Sequence, residues 1–234
     1  MTGSINVSAL VLRRADYKDY DRMVTLLTAE QGKVDAVVRG CRRPKSELMN
    51  AAEPFVCGQY QLYFAHDKYS VTQCKVTDGF IPLRQDMDRL ICGSNWLRTV
   101  EKTAPEEMES RELFDMVLSA LSYLTYSDLP MELTNAMFKL KLSRSLGFSP
   151  RADACAVCGI SANETALRFD AKKGGCVCGK CAPHAKPLSE GARRILLKAP
   201  KAPFKSVELL NDHPDWPEAA QRIDEAVRAY IGNE

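Results

Sequence analysis

The chain of 234 residues has no apolar run long enough to cross a membrane. A spanning helix needs roughly 18 or more consecutive apolar residues, and no run here approaches that length. Residues 1–10 also lack the basic start followed by an apolar block that is typical of a secretory leader. With 45% hydrophobic and 26% charged residues, the composition favours a globular rather than a disordered chain. These absences together favour a cytosolic protein.

A large net charge is also absent, because 32 basic residues oppose 30 acidic ones and leave a formal charge of +2. The overall charge therefore indicates no particular partner. Two segments nevertheless carry a local excess of bases. The first holds Lys33, Arg39, Arg42, Arg43 and Lys45 against Asp35, and the second holds Lys186, Arg193, Arg194, Lys198, Lys201 and Lys205 against Glu190. Such runs are either solvated surfaces or sites for a polyanion.

The cysteines lack the spread that is typical of a secreted, disulfide-bonded domain. Four of the nine stand alone in the chain, at Cys41, Cys57, Cys74 and Cys92. The other five fall within "CAVCGISANETALRFDAKKGGCVCGKC", at residues 155–181. This distribution indicates reduced cysteines and a metal site rather than a disulfide framework.

The first 80 residues have the pattern of short strands. The segment "NVSALVLR" alternates apolar and polar residues, and Gly32 suits a turn between two of the runs that follow. These β-rich runs lie at 22–28, 33–40, 58–65 and 69–76. Five strands in about 75 residues leave no room for crossover helices, which predicts a small closed antiparallel barrel. A five-stranded OB-type barrel is the first candidate, and an SH3-like barrel is the alternative.

Beyond Gly79 the apolar residues recur at every third or fourth position, which predicts helices. Three helices are expected at 86–104, 110–126 and 130–146, followed by a short one after Ser189 and a terminal one from Pro217. The expected fold class is α+β. An N-terminal barrel over residues 1–80 would precede a helical domain over 81–234, with the cysteine module at about 150–186.

Two C-x2-C pairs lie nineteen residues apart, formed by Cys155 with Cys158 and by Cys178 with Cys181. This spacing is typical of a zinc ribbon, in which four thiolates close the tetrahedral shell and the metal is structural. Cys176 is out of phase with the second pair, and His184 is a weaker candidate ligand. Buried reduced cysteines and a redox C-x2-C motif are alternatives. A deaminase-like catalytic zinc site needs an H-x-E motif, which the chain lacks.

The segment "VVRGCRRPKSELMNAAEPF" predicts a projecting basic loop between the third and fourth strands, since Gly40 and Pro44 interrupt regular structure. OB barrels bind single strands on strands two and three and the adjoining loops. The predicted phosphate contacts are Lys33, Arg39, Arg42, Arg43 and Lys45. Five such contacts give an expected slope of log affinity against log salt of about −3.5. Tyr17 and Tyr20 would either stack on bases or pack against the barrel rim.

Two other classes of protein remain as alternatives. A zinc-ribbon transcriptional regulator would read duplex DNA with a recognition helix, but no segment combines Asn, Gln and Arg in that way. A nuclease would need a metal-binding acidic cluster. The loop "RADYKDYDR" does gather Asp16, Asp19 and Asp21, yet basic residues share that loop. Solvated loop acids explain it more simply.

Four segments carry a resemblance to a known family: "VLRRADYKDYDRMVTLLTAEQGKVDAVVRGCRRPKS", "PF" at 54–55, "LGFSPRADACAVCG" and "GGCVCGKC". They are similar to the bacterial RecO family of recombinational-repair proteins, over most of residues 5–190. The "GCRRPKS" loop and the "LGFSPRADACAVCG" block are the most specific pieces. Family members usually carry Glu where this chain has Asp19 or Tyr20, and an apolar residue where it has Cys176. The second departure supports the other four clustered cysteines as the ligands.

The resemblance implies a non-enzymatic mediator of the RecF pathway, located in the cytoplasm at the nucleoid. Such proteins bind single- and double-stranded DNA and anneal complementary strands. With RecR they help to load RecA onto DNA covered by the single-stranded-DNA-binding protein, whose acidic C-terminal tail they engage. The implied fold is an OB domain followed by a helical domain with one structural zinc. The second basic run, including Arg193 and Arg194, would extend the DNA track or receive the acidic tail.

Overall fold

The computed structural model describes residues 3–106 and 108–231, with the side chain of residue 231 outside the described part. By compactness the chain divides into two units, Met1–Tyr126 and Ser127–Glu234. The first two helices therefore group with the barrel, although the predicted boundary at residue 80 stays a prediction. Among the described residues, no helix is both long and apolar enough to span a membrane.

The first unit begins with a closed five-stranded barrel. Its strands are β1 (Gly3–Tyr17), β2 (Asp21–Thr28), β3 (Gly32–Val38), β4 (Cys57–Ala65) and β5 (Lys68–Asp78). They close in the order β1-β2-β3-β5-β4, and β4 pairs back onto β1. All pairs are antiparallel except β3 with β5, so the prediction of a purely antiparallel barrel was wrong in that one pairing. The predicted OB-type barrel is confirmed, and the SH3-like alternative is not.

The barrel core follows from the alternation along each strand. Val7, Ala9 and Val11 point inward from β1 and are almost fully buried, as are Leu26 of β2 and Leu62 of β4. A short 3-10 turn, Asn50–Ala52, covers the inside of the barrel, where the buried Tyr60 hydroxyl donates to the Ala51 carbonyl at 2.9 Å. Because this hydroxyl has a partner, the ring can be buried without leaving an unsatisfied polar group.

Two helices complete the first unit, α1 (Met87–Thr103) and α2 (Arg111–Tyr126). The Asp86 side chain caps α1 by accepting from the Arg89 N–H at 3.0 Å. The apolar residues that predicted these helices form their buried faces, for example Trp96 and Val100 in α1 and Leu121 in α2. Both helices begin within one residue of the positions that the sequence pattern indicated.

Gly32, the first residue of β3 after the tight β2–β3 turn, has a left-handed backbone at φ +64°. A Cβ atom there would lie 2.5 Å from the Met108 carbonyl oxygen and 2.6 Å from that of Pro105. Gly32→Ala should therefore lower the free energy of unfolding by about 3 kcal/mol, since it adds a backbone clash to the left-handed penalty. Chemical denaturation would measure this. Gly40 is the matched control, because its φ is +65° but its Cβ would meet nothing closer than the Arg43 side chain at 3.8 Å.

Gly40→Ala should cost only about 1 kcal/mol, the conformational penalty alone. Equal losses for the two variants would show that the close approach at Gly32 does not contribute to stability.

The second unit combines three helices with a small sheet. Its elements in chain order are α3 (Met131–Ser145), β6 (Leu167–Asp170), β7 (Gly175–Cys178), β8 (Lys186–Pro187), α4 (Glu190–Lys198) and α5 (Trp216–Ile231). The sheet order is β7-β6-β8. As predicted, α4 begins directly after Ser189, whose side chain caps the helix by accepting from the Ala192 N–H at 3.1 Å. Strand β7 of this sheet ends at Cys178, the first cysteine of the second pair. The α+β fold class is confirmed.

Candidate metal centre and nucleic-acid interface

The two C-x2-C pairs meet in the second unit. The Sγ atoms of Cys155, Cys158, Cys178 and Cys181 all lie within 4.8 Å of one another. Those of Cys158 and Cys178 are 3.7 Å apart. Four sulfurs around one tetrahedral ion with bonds of about 2.3 Å would be roughly 3.8 Å apart. The arrangement therefore fits a metal ion held by four thiolates.

Local backbone geometry explains why each pair of cysteines converges. In the first pair, the Gly159 N–H donates to the Cys155 carbonyl at 2.9 Å, and φ of +78° at Gly159 closes the turn. In the second, β7 ends at Cys178, whose carbonyl accepts from the Ala182 N–H at 3.1 Å. A further bond, from the Ala156 N–H to the Cys176 carbonyl at 2.7 Å, ties the first turn to β7.

Backbone amides also favour the thiolate form of two ligands. Burial opposes ionisation of Cys155, yet the N–H groups of Cys158, Cys178 and Val157 lower its pKa to about 6. The pKa of Cys178 is lowered as well, first of all by the Cys181 N–H. The neighbouring thiols of Cys158 and Cys178 instead raise the pKa of Cys181 to about 12. A bound cation reverses that last effect, because a metal-coordinated thiol is deprotonated.

The other candidate ligands stay outside this group. Cys176 is fully buried in β7, where burial raises the pKa of its thiol to about 12, as expected for an inert core cysteine. His184 is exposed and also lies outside the four-sulfur group. Four protein ligands would complete a tetrahedral shell, and a shell completed in this way is typical of a structural metal rather than a catalytic one.

The basic loop, residues 39–45, projects from the first unit after β3. The side chains of Arg39, Arg42, Arg43 and Lys45 are exposed, whereas Cys41 between them is fully buried and anchors the loop in the barrel core. Arg42 lies 3.5 Å from the Asp16 carboxylate. In the part of the chain that the structure describes, Arg39, Arg43 and Lys45 have no ion-pair partner. At least three of the four cations are therefore free to meet an anion.

The two predicted tyrosines lie at the ends of the β1–β2 turn, and Tyr20 contacts the basic loop. Tyr17 ends β1 with 37% of its surface exposed, and Tyr20 follows in the β1–β2 turn with 50% exposed. The Arg43 guanidinium lies over the Tyr20 ring, 5.2 Å from its centroid, and Lys18 lies over the Tyr17 ring at 5.3 Å. Both rings are therefore partly exposed and partly covered. Their role as stacking platforms stays a prediction.

Lys33 lies at the other end of β3 from the basic loop. Its Nζ donates to the Glu101 carbonyl at 2.9 Å and lies 3.1 Å from the Glu106 carboxylate, and 19% of its side chain is exposed. A strand of seven residues separates the two ends. The structure therefore does not bring Lys33 together with Arg39, Arg42, Arg43 and Lys45, and its phosphate contact stays a prediction with a competing structural role.

Arg193 and Arg194 stand on α4 and differ sharply in exposure. Arg193 is 11% exposed, and it donates to the Glu190 carboxylate and to the Ala152 carbonyl at 2.7 Å. Arg194 is 66% exposed and also bonds Glu190, at 2.8 Å. These two guanidinium groups lower the pKa of Glu190 to about 2. Arg193 thus links α4 to the chain segment that precedes the four-cysteine group. Arg194 is the more exposed of the two and is better placed to contact a ligand.

Two acids that flank the β1–β2 turn bond to neighbouring groups. Asp16 pairs with Arg22 at 3.3 Å and with Arg42, and Asp21 accepts from the Gly40 N–H at 2.8 Å. In the described residues, the group of potential metal ligands is the four-cysteine set, and these acids are not in it. The geometry offers no support for the nuclease alternative. The sequence showed which acids were present but not that Asp21 reaches across to the basic loop.

Comparison with known proteins first defines the class, which is that of recombination proteins. A family model described as "Recombination protein O N terminal" matches residues 1–80, and one described as "Recombination protein O C terminal" matches residues 84–234. The two matches together span the barrel, the helices and the four-cysteine group.

Curated relatives then give the particular family. A protein of Anaeromyxobacter dehalogenans (strain 2CP-C) named "DNA repair protein RecO" is 35% identical over 83% of this chain and 78% of its own. Proteins of the same name from Anaeromyxobacter sp. (strain K) and Clostridium novyi (strain NT) are 32% and 31% identical, over 97% and 74% of this chain and 90% and 67% of their own. The chain belongs to the RecO family of DNA repair and recombination proteins.

Proposed function

We propose that this protein is a non-enzymatic mediator that binds single- and double-stranded DNA and anneals complementary strands. The observation that carries the proposal is the group of exposed cations on one loop of an OB barrel, Arg39, Arg42, Arg43 and Lys45. OB barrels use this region to hold nucleic-acid strands. Family membership supports a role in DNA repair, and the proposal assigns that role to the basic loop.

The loop would act on phosphates and leave the bases free. Phosphate contacts position a strand but do not read its sequence. A strand neutralised along its backbone repels a second strand less, while its base edges stay available for pairing. Tyr20, with its ring exposed beside Arg43, would offer a face on which one base stacks. Annealing then needs no chemical step and no ATP.

In the second unit, the four cysteines would hold one zinc ion as a structural cross-link. Four thiolates suit zinc, and zinc held in this way supplies folding energy. The cross-link would join the turn at Cys155 and Cys158 to the end of β7. No substrate position is left on such an ion, so we assign it no part in contacting DNA.

The proposed partners are those that membership of the RecO family implies. With RecR the protein would help to load RecA onto DNA covered by the single-stranded-DNA-binding protein at the nucleoid. The acidic tail of that protein would meet the second basic run, in which Arg194, Lys198, Lys201 and Lys205 are exposed. Lys198, Lys201 and Lys205 have no ion-pair partner in the described part of the chain, which leaves their charge available.

An annealing assay without ATP tests the proposal. The protein should accelerate pairing of two complementary oligonucleotides and leave a non-complementary pair unchanged. Affinity for a single strand should fall with salt, with a log–log slope of about −2.8 if the four loop cations each neutralise one phosphate. No acceleration, combined with strong discrimination between duplex sequences, would overturn the proposal in favour of a zinc-ribbon transcriptional regulator.

A further inference from the structure

The start of the basic loop is hydrogen-bonded to residues at the end of the β1–β2 turn and the beginning of β2. Asp21, the first residue of β2, is half-buried, and its Oδ1 accepts from the Gly40 N–H at 2.8 Å. Two residues further along the loop, the Arg42 N–H donates to the Tyr20 carbonyl at 3.0 Å. Tyr20 and Asp21 therefore each accept one backbone N–H of the loop, and of these two hydrogen bonds the one to Asp21 depends on a side chain.

Gly40 connects this hydrogen bond to the cations. Its carbonyl accepts from the Arg43 N–H at 3.0 Å, which closes the first turn of the loop, and its own φ is +65°. The Asp21 carboxylate therefore fixes the residue from which Arg42 and Arg43 are directed outward. A hydrogen bond from a backbone N–H to an ionised carboxylate is among the stronger ones in proteins.

We propose that Asp21 is a positioning residue for DNA binding, so that an acid at the edge of the interface strengthens the binding of a polyanion. The proposal rests on the function proposed above. By its charge alone, Asp21 repels phosphate. By its hydrogen bond to Gly40, it holds the loop cations in one arrangement before the strand arrives, which lowers the conformational entropy that binding must otherwise remove.

Two substitutions separate these opposite effects. Asp21→Asn keeps an oxygen that can accept from the Gly40 N–H but removes the charge, whereas Asp21→Ala removes both. Asp21→Asn should bind a single strand as tightly as the unmodified protein, or about twofold more tightly, and Asp21→Ala should bind about fivefold more weakly. Fluorescence anisotropy with a labelled oligonucleotide, at several salt concentrations, would measure both.

A general loss of folding would not change the salt dependence of the binding affinity. A smaller fraction of folded protein lowers the apparent affinity but leaves the log–log slope as it was. Misplaced cations neutralise fewer phosphates, so Asp21→Ala should flatten the slope by about 0.7 for each phosphate that is no longer neutralised. Hydrogen exchange of the amides of residues 40–43 should quicken in Asp21→Ala and stay unchanged in Asp21→Asn.

Other outcomes would overturn the inference in distinguishable ways. Tighter binding by both variants would mean that Asp21 acts only through its charge. Weaker binding by Asp21→Ala with an unchanged salt slope, and with hydrogen exchange quickened throughout the barrel rather than at residues 40–43, would mean that it acts only on folding. If the unmodified protein bound as poorly as a variant lacking the four loop cations, the proposed function itself would fail, and the assignment of Asp21 with it.

Discussion

Alanine at Arg39, Arg42, Arg43 and Lys45 together should weaken single-strand binding by about 100-fold at moderate salt and abolish annealing. Each of these side chains is exposed on the basic loop, and three of them have no competing ion pair among the described residues. Removing four cations from one surface removes the release of counterions that drives binding to a phosphate backbone. Anisotropy titrations and the annealing rate would report the two losses.

The matched control removes the same charge from the second basic run, as Arg194, Lys198, Lys201 and Lys205 to alanine. If that run receives the acidic tail of the single-stranded-DNA-binding protein, this variant should keep its affinity for bare DNA and lose affinity for a peptide of the tail. Equal losses of DNA affinity in both variants would instead assign both surfaces to the DNA track. Full binding by the loop variant would contradict the location of the interface.

Cys158→Ser should reduce the metal content from about one ion per chain to near zero, and the second unit should melt at a much lower temperature. Cys158 is the informative ligand because it is exposed, whereas Cys155 and Cys178 are buried. Its substitution disturbs the apolar packing little, so any loss of stability reports the metal. Elemental analysis of purified protein, with thermal unfolding followed by circular dichroism, would measure both quantities and identify the ion.

Cys176→Ala is the control for this experiment, since it removes a neighbouring cysteine that lies outside the four-sulfur group. It should keep the metal and lose only the packing energy of one buried thiol. Loss of metal from Cys176→Ala would refute the ligand assignment. Retention of metal by Cys158→Ser would show that three sulfurs are enough.

The barrel could be predicted because its signals are local. Apolar and polar residues alternate along each strand with a period of two. Gly32, beside the β2–β3 turn, has the left-handed backbone conformation that favours glycine. The parallel pairing of β3 with β5 differs from the antiparallel barrel that the sequence predicts. Pairing between segments that lie far apart in the chain leaves no signal in the sequence of either segment. In the same way, the C-x2-C spacing predicted which four cysteines converge on a group that could hold a metal ion, since each pair forms a short local turn.

Side-chain partners far apart in the sequence could not be predicted. Lys33 is bound to the carbonyl of Glu101, and Arg193 to that of Ala152, separations of 68 and 41 residues. Counting basic residues along the sequence does not separate those already bonded within the folded protein from those that are exposed. The hydrogen bond between Asp21 and Gly40 was hidden for the same reason. Burial and ion pairing decide which bases are available, and both depend on tertiary structure.

The short pairing between β3 and β5 has a consequence for the exposed edge of the barrel. Only Ala36, Val37 and Val38 pair with β5, which would leave the start of β3 as an open edge able to recruit a strand from another copy. Instead, bridges from Gly32 and Lys33 to Glu106 cover that edge with the protein's own chain. An exposed strand edge is a template for pairing with another chain, so a substitution that displaces Glu106 should be felt in the solubility of the protein as well as in its stability.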